Sequence, residues 1–208
     1  MKHIDFWLDF VSPYAYLAFE HLPTALDGLS YEVRYRPILF GALLKHHGQV
    51  APVAIAPKRD WIRRHTTWQA AQLGIPLQRP AAHPFNPLAL LRLAHACSRQ
   101  GSPNRYVCET IFRHVWRGGA AADDAARVQA LAEALSPPLA PASDAVKQAL
   151  RAETDAAIAA GVFGVPTFGV DGRLFWGLDA LPMLCAQLQG DAALEQAWAA
   201  PGVKGSPA

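Results

Sequence analysis

The sequence predicts an α/β fold in which a β-α-β opening and a β-β-α close are separated by a large all-helical insertion. Three observations carry this. Aromatic-rich alternation over residues 3–10 and 31–38 marks two strands with a helical pattern between them. Residues 39–160 carry a succession of helical patterns and no convincing strand. Asp171-Gly172 then joins the β-rich runs VPTFGV and RLFWG, a strong short-range hairpin signal.

Taken in order, the opening strand ends near residue 10, and Ser12-Pro13 supplies the N-cap and first-turn proline of a helix reaching about Leu22. YEVRYRPI alternates Tyr31, Val33 and Tyr35 against charged residues and stops at Pro37. A right-handed crossover makes these two strands parallel neighbours. In the insertion, DWIRRHTTWQAAQLG (60–74) reads as a helix capped by Asp60 and ended by Gly74. Further helices are expected over 87–101, 104–119, 123–135 and 143–161. After the hairpin a last helix runs from Asp179 to about Gln189, with Pro182 tolerable only in its first turn. The expected organisation is therefore 1–38 and 161–199 forming one α/β unit, 39–160 an insertion, and 200–208 a flexible tail.

At 208 residues and 51% hydrophobic, the chain can bury a sizeable core. Only 17% of residues are charged and the formal net charge is +2, too balanced for a nucleic-acid or polyanion partner. Asp5 and Asp9 interrupt the N-terminal apolar run, and no window approaches the ~20 apolar residues of a membrane span, so a cytoplasmic protein is expected. Cys97, Cys108 and Cys185 form no CxxC or metal-like spacing and read as reduced thiols, with no metal site.

The order of elements is that of a thioredoxin-like fold. In such folds chemistry sits where the first strand turns into the first helix, because unpaired N–H groups and the helix dipole stabilise an anion there. Redox members carry CxxC at that turn; this chain carries Ser12-Pro13-Tyr14-Ala15, which excludes disulfide exchange by its own thiols. Taken alone, Ser12 is an ordinary helix cap. Val165-Pro166 opens the first hairpin strand, where a residue without an N–H is admissible.

LDFVSPYAYLA, GALLKHHG, APKRDW, HPFNPLALLRLA and GVFGVPTFGVDGRLFWGLDAL together resemble the 2-hydroxychromene-2-carboxylate isomerases, relatives of the kappa-class glutathione transferases, over most of residues 3–190. The resemblance implies a homodimer, glutathione as an organic cofactor, and a small aromatic conjugated ketone as substrate. It also implies residue roles. Ser12 would hydrogen-bond the glutathione sulfur. Val165, ahead of a cis-Pro166, would pair with the cysteinyl amide in strand-like fashion. Asp179, beside Leu178, would hold the γ-glutamyl ammonium, and Lys58 the glycine carboxylate. Gln49 stands where relatives usually carry Asn, and its longer amide would have to reach the peptide. Locally, Asp179 also reads as the N-cap of the last helix. Phe40, Trp68, Phe85 and Trp176 are candidate walls for an aromatic substrate, though such residues equally build cores, and His46 and His47 are candidate acid–base groups. Two other readings stay open: a transferase conjugating glutathione to electrophiles, and a non-catalytic binding module of the same fold.

Overall fold

The structure is a computed structural model, and it describes residues 1–99 and 101–200. Strand β1 (Lys2–Leu8) leads into helix α1 (Pro13–Ala25) and strand β2 (Tyr31–Pro37). Six helices follow: α2 (Phe40–His46), α3 (Ala56–Gln72), α4 (Leu88–Ala96), α5 (Arg105–Trp116), α6 (Ala125–Leu135) and α7 (Asp144–Ala159). The chain closes with β3 (Thr167–Val170), β4 (Arg173–Trp176), α8 (Leu181–Gln189) and α9 (Ala192–Ala199). The strands form one sheet of order β2-β1-β3-β4, with β1 and β2 parallel and the β1–β3 and β3–β4 pairs antiparallel. This is the predicted thioredoxin-like arrangement.

Register places Phe6 of β1 opposite Tyr35 of β2 and Phe168 of β3, so the aromatic side chains of three strands meet on one face. Phe6 lies 4.5 Å from Phe168 and 6.0 Å from Tyr35 between ring centroids. Helices α1 and α5 cover that face: Phe112 packs 5.1 Å from Phe19 and 4.9 Å from Phe10, and Trp116 stacks on Tyr16. One core thus runs from the sheet into the helical segment. On the other face of the sheet a smaller cluster gathers Trp7, Ile38, Leu43, Ala157, Val162 and Val165. Among the described residues no helix is long and apolar enough to cross a membrane, and Cys97, Cys108 and Cys185 are free thiols.

Several boundaries differ from expectation. Helix α3 starts at Ala56, with Pro57 in its first turn and no side-chain cap, so Asp60 sits inside the helix instead of capping it. The preceding single 3₁₀ turn, Pro52–Ala54, and the Arg59 N–H bond to the Ile55 carbonyl at 2.9 Å start the helix earlier. Asp179 is likewise not the N-cap of the last helix. A 3₁₀ turn over Leu178–Ala180 comes first, α8 is capped by Ala180 without a side-chain bond, and Asp179 lies within the turn. Helix α9 was not anticipated; Asp191 caps it, and Arg173 of β4 ties it to the sheet through Glu195. The expected tail was 200–208: Ala200 caps the end of α9, and 201–208 lie outside the described residues.

Candidate active site at the β1–α1 turn

Strand β1 ends at Leu8, short of the predicted residue 10, because the backbone from Asp9 to Ser12 is hydrogen-bonded into a turn. The Val11 N–H donates to Asp9 Oδ1 at 3.1 Å, and the Ser12 N–H to the Asp9 carbonyl at 3.0 Å. The Phe10 carbonyl accepts from Trp116 Nε1 at 3.0 Å, and His83 Nε2 lies 2.8 Å from the Val11 carbonyl. Three backbone groups of this turn thus find side-chain partners, in Asp9, Trp116 and His83.

Ser12 follows directly. It is the N-cap of α1, its Oγ accepting from the Ala15 N–H at 3.2 Å. The same hydroxyl donates to the Val165 carbonyl at 3.5 Å, the outer limit of a hydrogen bond, so its proton is easily redirected to a better acceptor. The Val165–Pro166 peptide is cis. The Val165 N–H has no protein partner among the described residues, and the residue is buried beside Ser12. A free backbone donor and a loosely held hydroxyl at a helix N-terminus make a cradle for an extended, anionic ligand.

The cradle opens into a cavity of about 460 Å³, lined among others by Asp9, Ser12, Tyr14, Gln49, His83 and Val165. Its walls are largely apolar and aromatic, with Leu39, Phe40, Leu44, Ile62, Phe85, Phe163 and Trp176 among them. Phe163 and Trp176 pack at 5.0 Å and remain partly exposed, forming an aromatic rim. Gly164 allows this, since a Cβ there would come within 2.5 Å of Trp176 Nε1.

The predicted residues divide. Ser12, Val165 and Gln49 line the cavity, as do the candidate walls Phe40, Phe85 and Trp176. Pro166 is buried behind Val165, and Leu178 belongs to the main core. Asp179 is exposed, close enough to Tyr14 for its charge to help raise the phenol's pKa. Lys58 lies on the exposed first turn of α3, outside the cavity lining. Trp68 stands 57% exposed on α3, stacked on His65, and is no wall of the cavity, because the side of α3 reaching the site carries Ile62. His46 and His47 pack edge to face outside the lining.

Three polar groups of the cavity escaped the sequence reading. Asp9 is fully buried, and burial pushes its carboxyl up to about 7 despite the opposing pull of the Phe40 and Val11 N–H bonds. His83 is held below its ordinary value, first by burial and then by the charges of Arg79 and Arg63 against the Val11 bond. Tyr14 is raised by burial and by Asp179, so its phenol stays protonated at neutral pH; its Oη lies 2.8 Å from His65 Nδ1. The sequence signal for Asp9 was its interruption of an apolar strand; His83 and Tyr14 carried none beyond their neighbourhood.

The DSBA-like thioredoxin domain family matches residues 3–189. The chain belongs to that family. A 2-hydroxychromene-2-carboxylate isomerase of Pseudomonas sp. (strain C18) is 29% identical over 188 residues, 87% of each chain. A solved structure of a 2-hydroxychromene-2-carboxylate isomerase superposes with a TM-score of 0.77 at 26% identity, over 96% of this chain and 100% of that one. Glutathione S-transferase kappa 1 of Caenorhabditis elegans is 40% identical over 63 residues, 29% of this chain and 26% of the relative. The relatives thus fall in the group that the motifs resemble, and the β1–α1 turn of this chain carries Ser12-Pro13-Tyr14-Ala15, with no cysteine.

Proposed function

We propose that this DsbA-like chain is a glutathione-dependent isomerase that interconverts 2-hydroxychromene-2-carboxylate and trans-o-hydroxybenzylidenepyruvate, a cytoplasmic step of aromatic (naphthalene) catabolism carried out by a homodimer. The observation that carries the reading is the pairing of the Ser12 hydroxyl at the α1 N-terminus with the Val165 backbone, at the head of an aromatic-lined cavity free of cysteine. The residues present fit the tripeptide at its centre: Val165 offers an unpaired N–H for strand-like pairing, and Gln49 an amide at the cavity edge. The two charged ends are less closely built. Lys58 and Asp179 are exposed and outside the cavity lining, so they would serve as peripheral anchors for the carboxylate and the ammonium.

Glutathione, when bound, supplies a thiolate able to add to the conjugated side-chain carbon and depart again. Ser12 redirects its Oγ–H from Val165 to the sulfur and, with the α1 N-terminus, favours the ionised form. Tyr14, kept protonated, can donate to an oxygen of the substrate. Phe40, Phe85, Phe163 and Trp176 hold the aromatic ring and exclude water.

A second reading, conjugation of glutathione to electrophiles, is favoured by the kappa-class segment at 40% identity. The test is an isomerisation assay run beside a chlorodinitrobenzene conjugation assay, each with and without glutathione. Isomerisation dependent on glutathione supports the first reading; conjugation alone supports the second; neither, with no glutathione heat in calorimetry, removes both. Ser12→Ala should lower the isomerisation rate about 10- to 100-fold, the equivalent of a charged hydrogen bond of ~1.5–3 kcal/mol. An unchanged rate at saturating glutathione would remove the role given to Ser12.

A further inference from the structure

The proposed isomerisation demands proton transfer as well as a nucleophile. The chromene form is a cyclic hemiketal, so its 2-hydroxyl must lose a proton and its ring oxygen must gain one before the side chain can rotate. Among the described residues no lysine or arginine lines the cavity, and its ionisable groups are Asp9, Tyr14 and His83. Asp9 is unsuited to moving these protons. It is 0% exposed, and each of its oxygens already accepts a backbone N–H, from Val11 and from Phe40 at 3.0 Å. Tyr14 is a donor held protonated and cannot take up a proton.

His83 differs from both. The Val11 carbonyl can only accept, so the His83 nitrogen 2.8 Å away, Nε2, carries hydrogen. That bond fixes the tautomer and leaves Nδ1 with a lone pair and no protein partner among the described residues. The ring packs 5.5 Å from Trp116, which itself holds the Phe10 carbonyl, so the imidazole is braced against the turn that presents Ser12. The charged or titratable groups around it are Arg79 and Arg63, which oppose its protonation, and Asp9 and Tyr14 of the same cavity.

We propose that His83 is the catalytic acid–base of this site, its Nε2–H anchored on Val11 while Nδ1 relays a proton between two substrate oxygens. In the opening direction Nδ1 takes the proton of the 2-hydroxyl as that oxygen becomes a ketone. The bond from C2 to the ring oxygen breaks, its electron pair goes to the phenolic oxygen, and the imidazolium returns the proton there. No proton or electron is gained or lost overall. The proposal rests on the isomerase reading for its substrate, and extends to any phenolic ketone bound in this cavity.

Two measurements decide it. In the wild-type protein with ¹⁵N-labelled histidine, the His83 resonances should show the Nε2–H tautomer, titrating below the ordinary histidine range. Addition of trans-2-hydroxycinnamate, an unreactive phenolic acid, should shift the Nδ1 resonance, with or without glutathione. An Nδ1 signal that does not respond to this probe at saturation overturns the proposal, whatever reaction the protein catalyses. In the kinetic arm, His83→Gln, which can still donate to the Val11 carbonyl, should lower kcat about 10²-fold or more and abolish the acid limb of the kcat/KM profile. It should leave glutathione affinity within about twofold, and free imidazole should restore rate to His83→Gly. A glutamine variant with wild-type rate and pH profile would reduce His83 to a tether. Absence of isomerisation in the wild type defeats the functional reading instead, and leaves the resonance measurement to decide His83.

Discussion

Asp9 shows how one side chain can be indispensable to geometry and costly to ionise. Its two oxygens join the β1–α1 turn to the start of α2 by accepting the Val11 and Phe40 N–H groups. Burial nonetheless raises its pKa from 3.8 to about 7. The native state therefore binds this proton more tightly than the unfolded chain, so its contribution to stability is greatest below about pH 4 and declines as pH rises to about 7. Asp9→Asn cannot titrate. The melting temperature of the variant relative to wild type should accordingly rise between pH 4 and 7, on top of a constant offset from the amide nitrogen facing a backbone N–H. A difference independent of pH over that window would show the carboxyl to be unshifted. At this same scale Ser12 was legible in the sequence as a cap before a proline, and the structure retains that role while adding Val165 as a second neighbour.

Elements here are positioned by close approaches that a residue pattern conceals. Strand β3 crosses β1 where Gly169 lies opposite Asp5, and a Cβ at Gly169 would come within 2.7 Å of Trp7 Cζ3. Trp7 is buried in the smaller core cluster and cannot swing aside as the exposed Trp176 can. Gly169→Ala should thus destabilise by about 1–3 kcal/mol, read by urea unfolding, whereas Gly164→Ala should mainly displace the Trp176 rim and alter ligand affinity. Equal losses of stability from the two substitutions would contradict this account. The helices expected from residues 104, 123 and 143 begin within two residues of those positions, behind the caps Asn104, Asp124 and Ser143, because such a start is a local signal. Helix α3 was misplaced because its start depends on a proline in the first turn and on the preceding 3₁₀ turn, and Asp60 mimicked a cap.

Across the whole molecule, the helical segment supplies part of the site. Trp116, at the end of α5 and fully buried, donates to the Phe10 carbonyl two residues before Ser12. His83, in the segment between α3 and α4, holds the next carbonyl. Because α4, α5 and the sheet share one core, unfolding should be a single transition, with far-UV dichroism and fluorescence curves coinciding. Trp116→Phe keeps an aromatic ring but strands the Phe10 carbonyl, at a cost of about 1–3 kcal/mol. It should also weaken glutathione binding, since the Ser12 turn loses a support. A stability loss with unaltered binding would separate the core from the site.

The sequence by itself determined the order of the strands and of the helices other than α2 and α9, the hairpin, the serine cap and the absence of a redox CxxC pair. Each of these depends on hydrogen bonds, dihedral preferences or side-chain periodicity within a turn or a short strand, and such signals survive in one dimension. Tertiary structure decided which residues share the cavity. It left Lys58 and Trp68 outside, and it brought in Asp9, Tyr14 and His83, which local pattern had passed over. The reason is physical: a carboxyl is shifted by the low-dielectric medium packed around it, and an imidazole separated by 72 positions from Val11 finds that carbonyl only after α5 and the sheet have closed on one core.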